Sequence, residues 1–294
     1  MPRMHAAKYS NMLLLNSRLR SVSDWWGESP RPPSGGQGRP PHKVIFNADD
    51  YGLSPAVSRG ILKASTAGLV LSTSVMANLV TEDEVSALRA AASGQWSVGI
   101  HLNLSCGAPL CATYPRELLD SKGCFDKDRA LKPETWQSAA FRQACAEEWS
   151  AQLDFLSQTG LSVDHLDSHH HVHLFEELFP LALELARTIG IALRTRTQAQ
   201  REAAHTAGIA TPDSLLLDFF GHGRIDKASL FNLLAGARGD IVEVVCHPGM
   251  VDEVLRGRSG YVEQRAMELE TLSDHQLEPE LKEQGWEPSG YNWQ

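Results

Sequence analysis

The sequence predicts an α/β fold, an irregular (β/α) barrel of parallel strands with about seven βα units. From Lys43 onward, short apolar runs with branched residues alternate with longer amphipathic segments. This alternation is typical of a parallel sheet covered by helices. A doubly wound open sheet is the alternative architecture. Neither a Gly-x-Gly-x-x-Gly motif nor a Walker A loop follows the first apolar run, so a nucleotide cofactor is not indicated.

Three strands and three helices are predicted in the first half of the folded region. The first strand is KVIFNADD, and the helix after it has Ser54 as its N-cap and Pro55 at its first position. The second strand is LVLSTSVMAN, after which Thr81 and Glu84 form a capping box for the second helix. The third strand is WSVGIHLNLS. A loop over residues 109–133 and a long helix over residues 134–160 follow it.

Four further strands are predicted in the second half. They are SVDHLDSH, IALRTRT, LLLDFF and IVEVVCHPG, in chain order. The helices between and after them are LFEELFPLALELARTIG, which forms despite Pro180, then KASLFNLLAGARG and a closing helix VEQRAMELETLSD. Each strand is thus followed by a segment long enough to cross back over the sheet.

The first 41 residues differ from the rest and are predicted to be a disordered extension. They are basic, contain no acidic residue before Asp24, and end in the Pro/Gly-rich stretch SPRPPSGGQGRPP, which cannot bury a core. Residues 42–294 are expected to form one folded domain. A basic start also occurs in organelle targeting peptides, but a solvated tail is the favoured interpretation.

The composition excludes several classes of protein. Of the 294 residues, 42% are hydrophobic, and the formal net charge of −9 disfavours nucleic acid or an anionic membrane as partner. No apolar run is long enough to cross a bilayer. Five cysteines without a Cys-x-x-Cys pair argue against a disulfide framework and a thiolate zinc site. A reducing compartment, the cytoplasm, is therefore expected.

Unusual polar residues collect where the predicted strands end. In parallel α/β folds the catalytic groups lie at the carboxyl ends of the strands, because the loops there form the open face. Five separate strands deliver polar groups to this edge, which packing alone does not explain. These residues are Asn47, Asp49, Asp50, His101, Asn103, Asp167, His169, Arg194, Arg196, Glu243 and His247.

The segment DHLDSHHHVHLF contains five of the twelve histidines in nine consecutive positions. In an extended chain His165, Asp167, His169, His171 and His173 share one face, whereas a helical turn after His169 would place His169 and His173 one turn apart. Only one or two of them can reach a single metal. One Asp with two imidazoles leaves open positions for water and substrate, as in a catalytic site. Zinc, manganese, cobalt, nickel and magnesium suit such ligands, and a non-haem iron oxygenase stays open.

Five motifs in this order resemble the YdjC family of carbohydrate deacetylases: NADDYGLSPAVSRGI, TSVMAN, GIHLNLS, HLDSHHHVH and EVVCHPG. The resemblance runs from about His42 to Gly249. It implies an irregular (β/α) barrel that hydrolyses acetyl groups from N-acetylated sugars such as chitooligosaccharides. It also implies one divalent metal, with magnesium or zinc favoured, held by Asp50, His101 and His169. Asp49 then corresponds to the general base and His247 to the general acid.

Further residues are expected to support this site or bind substrate. Arg194 would orient Asp49 or bind the product acetate. The others are expected to support the ligating histidines, whose second ring nitrogen needs a hydrogen-bond partner: His170, His171, His173 and Glu243. The expected partner is an N-acetylated carbohydrate, and the resemblance leaves a homodimer open. Two rival functions remain, a metal-dependent phosphoesterase and a non-catalytic sugar- or metal-binding barrel.

Overall fold

The computed structural model describes residues 42–92 and 96–292. All strands in this part of the chain run parallel, in the order β5-β4-β3-β2-β1-β7-β6, and curl into a half-barrel. This confirms the predicted barrel of parallel strands. An eighth strand, β8, pairs with the first half of β1. The strands are β1 (His42–Tyr51), β2 (Ser72–Val75), β3 (Ser97–Leu102), β4 (His165–Ser168), β5 (Ala192–Leu193), β6 (Ser214–Leu216), β7 (Ile241–Cys246) and β8 (Trp286–Ser289).

Helices connect the strands, and none in the described ranges is long and apolar enough to cross a membrane. Short 3₁₀ segments cover Arg116–Leu118, Pro133–Gln137 and His169–Leu174. The α-helices are α1 (Pro55–Ser65), α2 (Glu82–Ala91), α3 (Lys127–Ala130), α4 (Ala139–Gln158), α5 (Phe179–Ile189), α6 (Gln198–Thr206), α7 (Lys227–Ala235), α8 (Glu253–Arg258), α9 (Glu263–Leu272) and α10 (Leu277–Glu283). The predicted extension over residues 1–41 lies outside the described residues.

The core forms around β1, whose two edges are both occupied by other strands. Its residues Val44, Ile45 and Phe46 are fully buried, as expected of a strand covered on both faces. The predicted helix caps are also present: Ser54 accepts from the Val57 N–H of α1, and the capping box at the start of α2 has both of its hydrogen bonds. Local signals therefore fixed where these helices begin.

Three predicted elements differ from the structure. The helix at Pro180 begins at Phe179 rather than at the preceding Leu174, because proline lacks an N–H and fits only the first turn. The long helix predicted from residue 134 begins at Ala139, after a 3₁₀ segment in which the buried Trp136 indole donates to the Ala130 carbonyl. The predicted closing helix is followed by α10 and β8.

The loop after β3 is held from outside the sheet by α4. The buried Glu148 carboxylate accepts hydrogen bonds from the backbone N–H groups of Leu110 (3.1 Å) and Cys111 (2.7 Å). Gln152, one turn along the same helix, accepts from the Asn103 N–H and donates to the Asn103 carbonyl. Side chains of the helix therefore make the hydrogen bonds that this irregular backbone segment does not make with other backbone groups.

Candidate active site

Asp50, His101 and His169 meet at the carboxyl edge of the sheet. Asp50 Oδ1 lies 2.7 Å from His169 Nδ1 and 3.2 Å from His101 Nε2. In the described part of the chain this buried oxygen nevertheless has no partner with hydrogen-bond geometry. Oxygen and nitrogen atoms bound about 2.1 Å from one ion lie roughly 3.0–3.4 Å apart. The 3.2 Å separation falls in this range and the 2.7 Å separation is shorter, and the three ligand atoms lie within 4.8 Å of one another, close enough to hold one metal ion.

The backbone around these ligands is strained. Among the described residues, positive φ values at non-glycine positions occur at Asp50 (77°), His170 (56°) and His171 (55°). Each such residue costs about 1–3 kcal/mol and persists only where its surroundings enforce it. Gly52, at φ 95°, completes the turn after β1, and a Cβ there would lie 2.8 Å from Val80 Cβ. Strain is thus concentrated at this site, as is common at functional sites.

The second oxygen of Asp50 is held by α9. Arg265 Nη2 donates to Asp50 Oδ2 at 2.5 Å, and both side chains are buried. Burial alone would raise the pKa of Asp50, but the charges of His169 and Arg265 outweigh it and hold this pKa well below its usual range. Asp50 is therefore a carboxylate, with one oxygen fixed by a guanidinium and the other directed at the two imidazoles.

His101 is oriented from behind by Asp167. Its Nδ1 lies 2.7 Å from Asp167 Oδ1 and 3.0 Å from Ser74 Oγ, so Nε2 is the atom left to face Asp50. Burial lowers the pKa of His101, but Asp167 and Asp49 outweigh it and raise this pKa to about 10. The surroundings of His101 therefore favour positive charge.

Asp49, the other carboxylate of the pair, faces a different set of partners. Arg194 Nη1 and Nη2 donate to its two oxygens at 2.8 and 2.7 Å, and Asn47 Nδ2 donates to Oδ1 at 2.7 Å. Arg194 is fully buried and also donates to Glu243 Oε1 through Nε and Nη2. Arg194 thus makes the contact that the first of its two expected roles requires, and both roles stay predictions.

His247 lies at the end of β7 beside two aromatic rings. Its ring centroid is 5.6 Å from Phe220 and 5.8 Å from Tyr261, and the Phe220 and Tyr261 rings stack at 4.1 Å. Its backbone N–H donates to Glu268 of α9. Burial, followed by the charge of Arg265, lowers its pKa from the ordinary 6.5 to about 4. The imidazole is therefore neutral near pH 7.

The buried charges of the site do not balance within the protein. Four carboxylates surround it, those of Asp49, Asp50, Asp167 and Glu243, against the two guanidinium groups of Arg194 and Arg265. The raised pKa of His101 favours an imidazolium in the absence of metal, which leaves one negative charge. Once His101 is deprotonated, as a metal ligand must be, the ionised carboxylates leave two negative charges. Buried charge without a counter-ion is costly. One divalent cation would compensate this excess.

The remaining histidines of the tract take separate places. His170 Nδ1 lies 2.7 Å from Ser105 Oγ. His173 is buried, with Nδ1 at 2.6 Å from Ser168 Oγ and Nε2 at 3.1 Å from the Arg194 carbonyl, so it supports the backbone that carries Arg194. His171 Nδ1 is buried without a hydrogen-bond partner among the described residues. Among the described residues, His169 is the one histidine of the five that belongs to the cluster with Asp50 and His101.

Two residues on α9, Arg265 and Glu268, belong to the site and were not among the predicted site residues. Arg265 holds Asp50, and Glu268 accepts both the His247 N–H and, at 2.6 Å, the Tyr261 hydroxyl. They lie three positions apart, on the helix face that also buries Leu269 and Leu272. The sequence did contain one signal for them: two charged residues at positions where an amphipathic helix normally places apolar core residues. Asp167 was noted as a polar strand end but was given no role.

Comparison with known proteins identifies the family. The model of the family described as "YdjC-like protein" matches residues 43–283. The chain belongs to this family. A relative from Vibrio cholerae, named carbohydrate deacetylase, is 38% identical over 238 residues, which are 80% of this chain and 89% of the relative. A Proteus mirabilis chitooligosaccharide deacetylase is 34% identical over 259 residues, covering 85% and 98% of the two chains.

A solved structure shares the fold of this chain. The crystal structure of a putative cellobiose-phosphate cleavage protein from Enterococcus faecalis superimposes with a TM-score of 0.72 at 29% sequence identity. The superposition covers 85% of this chain and 98% of the other. The YdjC-like assignment predicted from the five motifs is therefore confirmed, and it extends well beyond the last of them.

Proposed function

We propose that this protein is a metal-dependent deacetylase that hydrolyses acetyl groups from N-acetylated sugars of the chitooligosaccharide type and releases acetate. The observation that carries the proposal is the cluster of Asp50, His101 and His169 around an unsatisfied Asp50 oxygen, next to a separately held Asp49. The names of the Vibrio and Proteus relatives support the reaction and the substrate class.

Asp50, His101 and His169 would hold one divalent ion, and the excess of two negative charges supports a dication. Two imidazole nitrogens and one carboxylate oxygen suit zinc, whereas magnesium prefers oxygen ligands. When bound, such an ion polarises the acetamide carbonyl and lowers the pKa of a coordinated water. Arg265 and Asp167 would keep the ligating atoms in place, since each binds the far side of one ligand.

Asp49 would act as the general base. Arg194 and Asn47 hold its carboxylate beside the ligand cluster, and the carboxylate would accept a proton from the water that attacks the acetyl carbon. Consecutive residues at a strand end point in different directions, so Asp49 and Asp50 can serve separate functions.

His247 would protonate the departing nitrogen as the bond between the acetyl carbon and the sugar nitrogen breaks. Because burial lowers its pKa to about 4, it must gain a proton during the reaction before it donates one, and it then donates readily. The Glu268 bond to its backbone and the Phe220 and Tyr261 rings fix its position. His247 takes this proton from solvent, and Asp49 returns to solvent the proton that it took from the water. The amide and one water therefore give acetate, a free amino sugar and one released proton.

The phosphoesterase alternative receives less support. A second cluster of Asp49, His101 and Asp167 exists, as a two-metal enzyme would need. However, one Arg194 nitrogen lies 2.7 Å from both Asp49 Oδ1 and Asp167 Oδ2. The guanidinium therefore already supplies the positive charge for these carboxylates, which favours a single metal.

The test is to incubate the protein with zinc or magnesium and with N,N′-diacetylchitobiose, and to measure free acetate. Acetate release that stops on addition of a chelator and resumes on addition of the metal is expected. A protein that takes up stoichiometric metal but releases no acetate would contradict the deacetylase and favour the non-catalytic barrel. Release of phosphate from a phosphorylated control ester would favour the phosphoesterase.

A further inference from the structure

The segment after residue 283 lies beyond the region matched by the family model and returns to the barrel. Strand β8 pairs with His42–Ile45, the first half of β1. Two residues after this strand, Tyr291 is fully buried, and its backbone N–H donates to Ser97 Oγ at 2.6 Å. A residue close to the end of the chain is thus held firmly inside the sheet.

The Tyr291 hydroxyl begins a chain of hydrogen bonds that ends at Asp49. It donates to Glu243 Oε2 at 2.5 Å. The other oxygen, Oε1, accepts from Arg194 Nε at 2.8 Å and Nη2 at 2.6 Å. Arg194 in turn donates to both oxygens of Asp49. All four side chains are almost completely buried, so water does not compete for these bonds.

The Tyr291 ring reaches the same carboxylate by a second route. It stacks on His165 with ring centroids 4.0 Å apart and planes 6° from parallel. His165 Nε2 lies 3.0 Å from Asn47 Oδ1, and Asn47 Nδ2 donates to Asp49 Oδ1 at 2.7 Å. The ring and the hydroxyl of one residue therefore contact two separate supports of Asp49.

We propose that Tyr291 is a positioning residue for Asp49, acting through Glu243 and Arg194 and through His165 and Asn47. The proposal rests on the proposed deacetylase function. Without the hydroxyl, Glu243 Oε2 would lose this hydrogen-bond donor. A buried carboxylate oxygen that loses a donor is strongly disfavoured. Glu243 would then turn towards the guanidinium, and Arg194 would lose the alignment in which both of its terminal nitrogens bind Asp49.

The variant Tyr291→Phe tests this with one oxygen removed and the ring retained. We expect kcat for N,N′-diacetylchitobiose to fall about ten-fold, which corresponds to about 1.4 kcal/mol of activation free energy. KM and metal stoichiometry should not change, because neither the ligand cluster nor the substrate contacts Tyr291 in this mechanism. A kcat equal to that of the unmodified protein would overturn the proposal.

The matched control is Trp286→Phe in the same segment. Trp286 is a buried residue of β8 whose ring centroid lies 5.3 Å from that of His42. This variant should lower the melting temperature while kcat is retained. If both variants lose kcat in proportion to their melting temperatures, the role of Tyr291 is merely structural and the proposal fails.

A double variant separates this proposal from the proposed function. If Tyr291 acts through Glu243, the kcat losses of Tyr291→Phe and Glu243→Gln should be less than multiplicative when combined. A chain that releases no acetate at all refutes the deacetylase. The coupling is then measured from unfolding midpoints, where the same two substitutions should be non-additive. Additive effects would show that the two side chains act independently and would overturn the network.

Discussion

Substitution of Asn for Asp49 keeps the shape of the side chain and removes its charge. The Asn amide nitrogen would face the donors of Arg194 or Asn47, so at least one hydrogen bond is lost. Arg194 still has Glu243 at 2.6 Å and Asp167 at 2.7 Å, so its charge stays compensated. We therefore expect a folded variant that is destabilised by about 1–3 kcal/mol.

The catalytic effect of this variant should be much larger. Loss of one positioned general base costs roughly a hundred- to ten-thousand-fold in rate, and kcat for acetate release should fall by this factor. Metal content should stay at one ion per chain, because Asp49 lies outside the cluster of Asp50, His101 and His169. Asp50→Asn should show the opposite pattern, with weakened metal affinity and activity that partly recovers at high metal concentration.

Equilibrium dialysis with metal analysis is carried out beside the acetate assay on both variants. Asp252→Asn is the matched control, since this Asp is the N-cap of α8 and makes no contact with the cluster in the described structure. It should keep both metal and turnover. If Asp49→Asn loses the metal while Asp50→Asn keeps it, the two roles are reversed and the proposed mechanism is wrong.

Three further outcomes are expected. His101→Ala and His169→Ala should each lose stoichiometric metal by elemental analysis while keeping a folded circular dichroism spectrum, and full occupancy in either would refute the ligand set. A chain beginning at Pro41 should keep its melting temperature and activity, since the preceding residues lack apolar periodicity; a loss of either would refute this. Burial raises the pKa of Glu268 to about 7 from 4.5. The folded state therefore binds this proton more tightly, and stability should fall as the pH rises from about 4.5 to 7. Denaturant unfolding at several pH values should show this loss reduced in Glu268→Gln, and an unchanged slope would contradict it.

The sequence predicted those parts of the site that come from strand ends. Asp50 and His101 end or line buried strands, and parallel strands bring such ends to one edge. Arg265 and Glu268 were missed because they arrive from a helix that is distant in sequence. Tyr291 was missed because a short strand near the end of the chain gives little periodicity.

The histidine tract could not be interpreted from its pattern alone. An extended chain would place alternate histidines together, and a regular helix would pair His169 with His173. The structure has a 3₁₀ segment interrupted by left-handed residues at His170 and His171. Left-handed conformations are uncommon at any residue other than glycine, so local propensity could not predict two of them in succession. His169 consequently reaches Asp50, while His173 turns to Ser168 and the Arg194 carbonyl.

The anchoring of the loop after β3 has a consequence for how such enzymes diverge. Glu148 and Gln152 hold this loop from α4, on contacts separate from those of Asp49, Asp50 and His247. Insertions or exchanges in the loop can therefore be accommodated by changes on one outer helix, without disturbing the groups proposed for catalysis. The shape of this loop and the position of the proposed catalytic groups are therefore set by different contacts within one barrel, so the loop can change while those groups stay in place.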